Sequence, residues 1–574
     1  MLRITGIALI AVLALGGLAF AAGDEEAAAS AYQLNPPGTY PVVDEKVTIT
    51  AIAYYSSSTS SGTPEDAAFA TYLEDLTNVH VDFVEMIESN GSQEKFNLIL
   101  ASGDLPDILI PHGSITAQQV FLHGSNGTFL PLNDLIDQRM PSLKQRLNEA
   151  PSIKARLTMP DGNIYAFPDV EANCFHCQFS AKLWVYQPWV EKLGLKWPPE
   201  TTEELYETFK AFKTQDPNGN GQADEIPILG AVDGWRQDPF TFLMNPFIFT
   251  SHPYGNNYGA FLERSPSDVR FVANTPEWRE GLKYMRRLYA EGLLGDESFV
   301  WTRQEGMSAV ENPDTELVGS FPAGWFGMMT LNGAGTGRFA HFQPIAPVTG
   351  PTGLQQTTFF PPTMRYQTQI TPSGADRKEV IAQWVDWFYE DPIVHGGLAW
   401  GWRREGIDWR WLTEEEKAKG WVARDGNPAQ TLSINVQAYS RDLYDDGWPR
   451  TAPGRFDMIA HGALPPEWAE DPSKQEYRLM VATRDLYAPY KTESYIPPDL
   501  VFDETTQDEL IDLAETLTSR TGLVLQRATE FINGTRDINN DAAWNEYVAE
   551  LERVGVDRYV ALWRDTLDNG GYFN

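Results

Sequence analysis

Ten consecutive residues, 216–225, have the types and spacing of a loop that binds a metal cation, and they read Asp-Pro-Asn-Gly-Asn-Gly-Gln-Ala-Asp-Glu. Oxygen-bearing side chains fill the first, third and fifth positions, and a glycine allows a sharp turn at the sixth. A backbone carbonyl adds an oxygen at the seventh. Ca²⁺ takes oxygen ligands of these kinds in an EF-hand loop. The pattern predicts a structural calcium site with no role in catalysis.

The loop departs from an EF-hand at its twelfth position, where Pro227 stands in place of a bidentate glutamate. Two acidic residues are left to close the coordination shell, Asp224 and Glu225. The alternative that the residues leave open is an ordinary Asn-Gly turn. The predicted ligands are Asp216, Asn218, Asn220, Gln222 through its backbone carbonyl, Asp224 and Glu225.

Catalytic signatures are missing from the sequence, which has no HExxH, GxSxG or Walker phosphate-loop motif. We therefore predict that the protein is not an enzyme. A glycosidase-like pair of carboxylates stays open as an alternative, because such a pair is defined by separation in space. The net charge of -35 argues against nucleic acid and anionic membranes as partners.

Aromatic and charged residues cluster at 400–409, in the order Trp-Gly-Trp-Arg-Arg-Glu-Gly-Ile-Asp-Trp. Flat aromatic faces stack on the C–H faces of sugar rings, and Arg and Glu can bind hydroxyl or carboxylate groups. The cluster favours a carbohydrate ligand, although core packing is the alternative for any single tryptophan. The two cysteines, Cys174 and Cys177, can form a local disulfide outside the cytoplasm, and a thiol redox pair is the alternative. A zinc site is disfavoured because it needs about four ligands and the chain has no second cysteine pair.

The start of the sequence predicts export. Arg3 precedes an apolar run, and the small-residue triplet at 19–21 suits signal-peptidase cleavage. We expect a signal peptide at 1–21, a flexible leader at 22–43 and a periplasmic location. No cysteine near the cleavage position is available to carry a lipid anchor.

Hydrophobic periodicity predicts alternating strands and helices. Segments 47–52 and 108–110 have strand patterns, whereas 65–78 and 95–102 have helical spacing. Further helices are predicted to start at the N-caps Thr201 and Thr275. A chain of 574 residues exceeds the size of one hydrophobic core, so two or three α/β domains are expected.

Five segments in order resemble motifs of the extracellular solute-binding proteins of ABC importers, in the large carbohydrate-binding branch that includes the alginate-oligosaccharide binding proteins. The segments are 101–108, 161–168, 193–195 leading through a helix into the loop at 216–225, 288–293, and 531–534 with the residues that follow to 555. The resemblance runs nearly from end to end of the chain and also supports the calcium loop.

The resemblance implies a two-lobed periplasmic binding protein with a type II-like α/β fold. Crossing hinge segments would join the lobes, and the ligand would lie in the cleft between them. We expect an N-terminal lobe of 44–165 and 341–392, and a C-terminal lobe of 166–340 and 393–574. The expected function is capture of a sugar or oligosaccharide and delivery to permease subunits in the inner membrane, by a monomer. A peptide or other polar ligand, or a secreted polysaccharide-degrading enzyme, is the alternative.

Six residues are predicted to contact the ligand. The resemblance assigns three of them to the cleft: Tyr165, Glu405 and Trp409. Expected exposure alone adds three others: Tyr54, Trp325 and Trp402.

Overall fold

The structure is a computed structural model. It describes residues 32–55, 68–88, 92–111, 115–171, 175–251, 259–265, 268–331, 336–360, 363–390, 409–421, 428–433, 455–457, 468, 475–496, 500, 502 and 504–568. Within these ranges no helix is long and apolar enough to cross a membrane. The predicted signal peptide lies outside them, as do Cys174, Trp402 and Glu405.

Strands and helices are numbered here in chain order within the described ranges. The strands are β1 (Val47–Tyr55), β2 (Val79–Glu88), β3 (Ile108–Ile110), β4 (Phe167–Glu171), β5 (Leu183–Tyr186), β6 (Leu262–Ser265), β7 (Asp268–Phe271), β8 (Ser320–Pro322), β9 (Phe342–Ile345), β10 (Thr363–Ile370), β11 (Trp409–Trp411), β12 (Thr431–Ser433) and β13 (Arg455–Asp457). The α-helices are α1 (Ala68–Thr77), α2 (Ser92–Ser102), α3 (Ala117–Ser125), α4 (Asn133–Arg139), α5 (Pro141–Glu149), α6 (Pro151–Leu157), α7 (Phe175–Gln178), α8 (Gln187–Leu193), α9 (Thr202–Thr214), α10 (Pro239–Met244), α11 (Pro276–Ala290), α12 (Glu297–Val300), α13 (Arg303–Val310), α14 (Lys378–Glu390), α15 (Glu414–Ala418), α16 (Gln475–Val481), α17 (Glu504–Leu517), α18 (Leu523–Asn533), α19 (Asp541–Val554) and α20 (Val556–Asp568).

The larger sheet holds six strands in the order β13-β4-β10-β3-β1-β2. β1 runs parallel to β2 and β3, whereas β10 is antiparallel to β3 and β4. Successive residues of β1 from Ala51 to Tyr54 are buried, which is typical of a strand covered on both faces. The apolar residues of this sheet and of its covering helices form a first core, drawn from 42–170 and 364–389.

The smaller sheet has three antiparallel strands in the order β8-β5-β9. The apolar faces of α9, α11, α18 and α19 are buried with it, through side chains such as Phe209, Trp278 and Phe531. These residues belong to a second core, drawn from 179–359 and 479–563. The chain therefore leaves the first core after β4 and returns to it with β10. We call the segments between β4 and β5 and between β9 and β10 the crossing segments.

Local sequence signals place the predicted elements correctly. The strand predicted at 47–52 is part of β1, and the helices predicted at 65–78 and 95–102 correspond to α1 and to all but the first three residues of α2. Thr201 and Thr275 are N-caps: each hydroxyl accepts a hydrogen bond at 3.2 Å from the backbone N–H three residues later. Capping interactions join neighbours in sequence, so they can be identified without tertiary information.

Candidate functional site

The loop at 216–225 follows α9 and folds back on its first residue. The Asp216 carboxylate accepts hydrogen bonds from the backbone N–H groups of Gly219 and Gly221, at 2.9 and 3.0 Å. Both glycines have φ near +75°, and Asp216 itself has φ of 47°. The left-handed region suits glycine, so these two positions allow the tight turn that the motif predicts.

Three of the predicted ligand side chains meet within this loop. The side-chain amides of Asn218 and Asn220 each donate a hydrogen bond of 3.0 Å to Asp224, one to each carboxylate oxygen. Their own Oδ1 atoms accept hydrogen bonds from the backbone N–H groups of Asn220 and Gln222. The two amide nitrogens therefore converge on the Asp224 carboxylate, while the amide oxygens accept hydrogen bonds from the backbone of the loop.

Glu225 is the most unusual member of the loop. It is only 1% exposed, and neither carboxylate oxygen has a hydrogen-bond partner in the described structure. Burial raises the pKa of Glu225, and the nearby charges of Asp224 and Asp216 raise it further. A buried carboxylate without a partner is costly, and a bound cation relieves that cost. The donor set fits a hard cation that takes oxygen ligands.

No group of three or more His, Cys, Asp and Glu side chains is arranged to hold a metal ion anywhere in the described ranges. The loop is a different kind of candidate, because two of its predicted ligands are asparagines and a third is the backbone carbonyl of Gln222. Ca²⁺ accepts such amide and carbonyl oxygens alongside carboxylates.

A second group of interacting side chains lies where the chain passes between the two cores. The Arg236 guanidinium stacks on the Phe360 ring, 3.8 Å from its centroid, and its Nε donates a hydrogen bond of 3.1 Å to the Ser180 hydroxyl. Ser180 and Phe360 belong to the two crossing segments, which are also joined by a hydrogen bond of 2.8 Å from the Phe360 N–H to the Gln178 carbonyl. We call this group, with Trp235 and Gly324, the crossing point.

Gly324 allows the Trp235 ring to pack at the crossing point. A Cβ atom on Gly324 would lie 2.5 Å from that ring, and the Gly324 N–H donates to the Trp235 carbonyl at 3.2 Å. The His176 ring also packs against the Trp235 ring in a T-shaped arrangement, with centroids 6.1 Å apart. The loop that carries Arg236 therefore contacts both Gly324, just after β8, and the crossing segments.

Lys182 anchors the first crossing segment from inside the second core. It is fully buried, and its Nζ donates hydrogen bonds to the backbone carbonyls of His176 and Phe179. Burial lowers the pKa of Lys182 to about 7. Cys177, in the same segment, is disulfide-bonded, while Cys174 lies outside the described residues.

The predicted ligand contacts fall in different places. Trp325 follows Gly324, is partly buried and has an indole N–H without a hydrogen-bond partner in the described ranges. Tyr54 and Tyr165 are 1% and 4% exposed and belong to the first core. Trp409 begins β11, and the structure does not describe Trp402 and Glu405. The ligand contacts stay predictions.

Sequence reasoning missed Trp235 and Arg236. A signal was present, because Gly-Trp-Arg occurs at 234–236 as well as at 401–403. Only the second occurrence lies among further tryptophans, and that clustering drew attention to it. The first occurrence stands out only through its contacts with Ser180, Gly324 and Phe360, which are distant in sequence.

FusA of Streptococcus pneumoniae serotype 4, a fructooligosaccharide ABC transporter substrate-binding protein, is 27% identical over 535 residues, which are 91% of this chain and 90% of FusA. The chain is homologous to FusA. The FusA structure in complex with kestose covers 91% of this chain and 99% of its own, with a TM-score of 0.66 and 24% identity. No protein-family model matches the sequence.

Two further structures extend the likeness in fold. An extracellular solute-binding protein from Bifidobacterium longum subsp. infantis has a TM-score of 0.73 and 19% identity, covering 92% of this chain and 99% of its own. The alginate-binding protein AlgQ2, solved without calcium ion, has a TM-score of 0.59 and 22% identity, covering 93% of this chain and 100% of its own. The protein has the two-lobed α/β fold of the solute-binding proteins, as the sequence predicted.

Proposed function

We propose that the protein captures an oligosaccharide between its two lobes and delivers it unchanged to the permease subunits of an ABC importer. The observation that carries the proposal is the match to FusA across 91% of this chain and 90% of FusA. A match of that extent covers both cores and both crossing segments, which are the parts that a two-lobed binding protein uses to close on its ligand. We propose that it acts as a monomer.

The lobes are proposed to meet at the crossing segments. The predicted boundaries at 166 and 341 fall close to them, and strand pairing favours limits slightly later in sequence. β4 (Phe167–Glu171) pairs within the six-stranded sheet, and β9 (Phe342–Ile345) pairs within the three-stranded sheet. Trp325, beside the crossing point, is the predicted ligand contact that this arrangement supports most directly.

We also propose that the loop at 216–225 binds a structural calcium ion. The ligands are Asp216, Asn218, Asn220, the Gln222 carbonyl, Asp224 and Glu225. The buried, unpartnered Glu225 carboxylate supports this assignment. FusA has been solved as an EF-hand mutant and AlgQ2 without calcium ion, which is consistent with a calcium site in such proteins. The ion would supply positive charge that neutralises the loop.

Export to the periplasm through a cleaved signal peptide is the proposed localisation. The apolar run before residue 22 supports it. Mass spectrometry of the protein from the periplasmic fraction tests this proposal directly. A mature chain that begins at Ala22 is expected, and a mature chain that retains residues 1–21 contradicts it.

Ligand screening tests the main proposal. Purified protein is scanned for thermal unfolding with kestose, nystose, galacturonan oligosaccharides and short peptides. A bound ligand at a hundred times its Kd stabilises the native state by about 2.7 kcal/mol, so the melting temperature rises for sugars only. Chromatography of the same sugars after incubation is expected to recover them intact. A rise with peptides alone, or cleaved sugar, contradicts the proposed function.

A further inference from the structure

Arg236 presents hydrogen-bond donors that the described protein does not use. Its Nε is bonded to the Ser180 hydroxyl, but the two terminal nitrogens, Nη1 and Nη2, have no hydrogen-bond or ion-pair partner in the described ranges. The nearest acidic neighbour along the chain, Asp238, caps α10, where its Oδ1 accepts from the N–H and hydroxyl of Thr241 at 2.9 Å. Burial lowers the pKa of Arg236 to about 10, although the negative charge of Asp238 acts in the opposite direction.

Packing restricts where a partner of Arg236 can bind. The Phe360 ring covers one face of the guanidinium, at 3.8 Å. A guanidinium stacked on an aromatic ring still directs its N–H groups outward in its own plane. The free edge offers parallel donors, and these match two neighbouring acceptor oxygens, as in bidentate arginine–carboxylate pairs.

The backbone at Arg236 also requires an explanation. Its φ is 59°, in the left-handed region that residues other than glycine rarely adopt. Residues held in such conformations cluster at binding and active sites, where the surrounding structure imposes them. Here the surrounding structure is the packing of Trp235 on Gly324 and the stacking of Arg236 on Phe360.

We infer that Arg236 is a ligand-binding residue that determines specificity, donating two parallel hydrogen bonds to a pair of adjacent oxygens on a sugar. The pair is either the carboxylate of a uronic acid or two vicinal hydroxyl groups. The inference rests on the proposed function and adds to it a named residue beside the segments that move when the lobes close.

Arg287 provides a matched control. Its guanidinium also stacks on an aromatic ring, at 3.4 Å from the Tyr206 centroid, but its two terminal nitrogens already bind the Glu203 carboxylate at 2.6 and 2.9 Å. Both arginines are therefore stacked, and only Arg236 has a free edge. Replacing either arginine with lysine keeps the positive charge but removes the planar pair of hydrogen-bond donors.

The test measures Kd by calorimetry for wild type, Arg236→Lys, Arg236→Ala and Arg287→Lys. Nystose and galacturonan trisaccharide are the two ligands, and the methyl-esterified trisaccharide is a third that lacks the carboxylate charge. We expect Arg236→Lys and Arg236→Ala to weaken binding of the sugar that wild type binds by about tenfold or more, equivalent to about 1.4 kcal/mol. Arg287→Lys is expected to bind like wild type.

Each outcome is informative. If wild type binds the galacturonan and loses affinity on esterification as it does on Arg236→Lys, the oxygens are a carboxylate. If wild type binds nystose and Arg236→Lys weakens it, the oxygens are hydroxyls. Wild-type affinity in both Arg236 variants overturns the role of Arg236 and leaves oligosaccharide capture standing. Absence of sugar binding in wild type overturns both proposals.

Discussion

The loop at 216–225 and the crossing point each contain polar atoms that lack a hydrogen-bond partner among the described residues. The loop lacks donors, whereas the crossing point lacks acceptors. The loop buries oxygen acceptors without donors, because the Glu225 carboxylate has no partner among the described residues. The crossing point holds donors without acceptors, because the free edge of Arg236 is unpartnered in the same ranges, as is the indole N–H of the adjacent Trp325. We propose that a cation completes the first region and that a polar sugar completes the second.

This difference corresponds to the two proposed roles, a structural role for the loop and a ligand-binding role for the crossing point. The loop is built from consecutive residues in the part of the chain that forms the second core, so we expect an ion there to stabilise that part alone. The crossing point joins the segments that connect the two cores, through Ser180 and Phe360. A ligand there would contact the part of the chain that we propose moves when the lobes close.

The largest expected effect is at Glu225. Glu225→Gln is expected to remove most of the calcium dependence of stability, which for wild type is about 2.7 kcal/mol at a hundred times the Kd. In chelator the variant is expected to be more stable than wild type, because an unpaired buried charge has become neutral. Thermal and urea unfolding with calcium and with chelator measure both effects.

The exposed Glu207 on α9 is the control for this substitution. Glu207→Gln removes the same charge without touching the loop, and it is expected to keep the wild-type response to calcium. An identical calcium response in Glu225→Gln and wild type would falsify the assignment of Glu225 as a ligand.

The next largest effect is expected from Gly324→Ala, which changes the packing at the crossing point. The added Cβ lies 2.5 Å from the Trp235 ring, so the loop with Arg236 must shift. Overpacking of this kind costs about 1 to 3 kcal/mol. We expect lower stability and weaker sugar binding, measured by urea unfolding and calorimetry.

A second substitution isolates the clash. Trp235→Leu removes the ring, so Gly324→Ala is expected to cost less stability in that background than in wild type. An equal cost in both backgrounds contradicts the packing argument.

The contrast between the two regions also explains what could be predicted from sequence. The loop uses neighbouring residues with characteristic spacing, so its turn and its converging side chains follow from the motif. Arg236 acquires its surroundings only when distant segments meet. Tyr54 lies on β1, where successive residues are buried, and period-two alternation therefore gives no sign of which side chains are exposed.

Lys182, in the first crossing segment, is expected to make the stability of the protein depend on pH. Its pKa is about 7 in the native state, against 10.5 as the ordinary value. Between these values the unfolded chain binds more protons than the native protein, so stability rises with pH, by at most about 1.4 kcal/mol per unit. Urea unfolding at several values from pH 7 to 9 measures the slope.

Lys182→Met is expected to remove this contribution to the slope, whereas Lys154→Met, on the exposed side of α6, is expected to keep it. The pH range is chosen because the difference in bound protons from Lys182 is greatest between its two pKa values. A slope unchanged by Lys182→Met contradicts a depressed pKa for this lysine.

The smallest expected effect tests the stacking at the crossing point. Phe360→Leu removes the ring under Arg236 and the cation–π attraction, which is about 0.5 to 1 kcal/mol at partly exposed sites. If Arg236 binds the sugar, its orientation depends on that ring, and Kd is expected to rise about two- to fivefold. Phe360→Tyr keeps the aromatic face and is expected to keep the wild-type Kd. Equal affinities for the Leu and Tyr variants, measured by calorimetry, contradict a role for the ring in positioning Arg236.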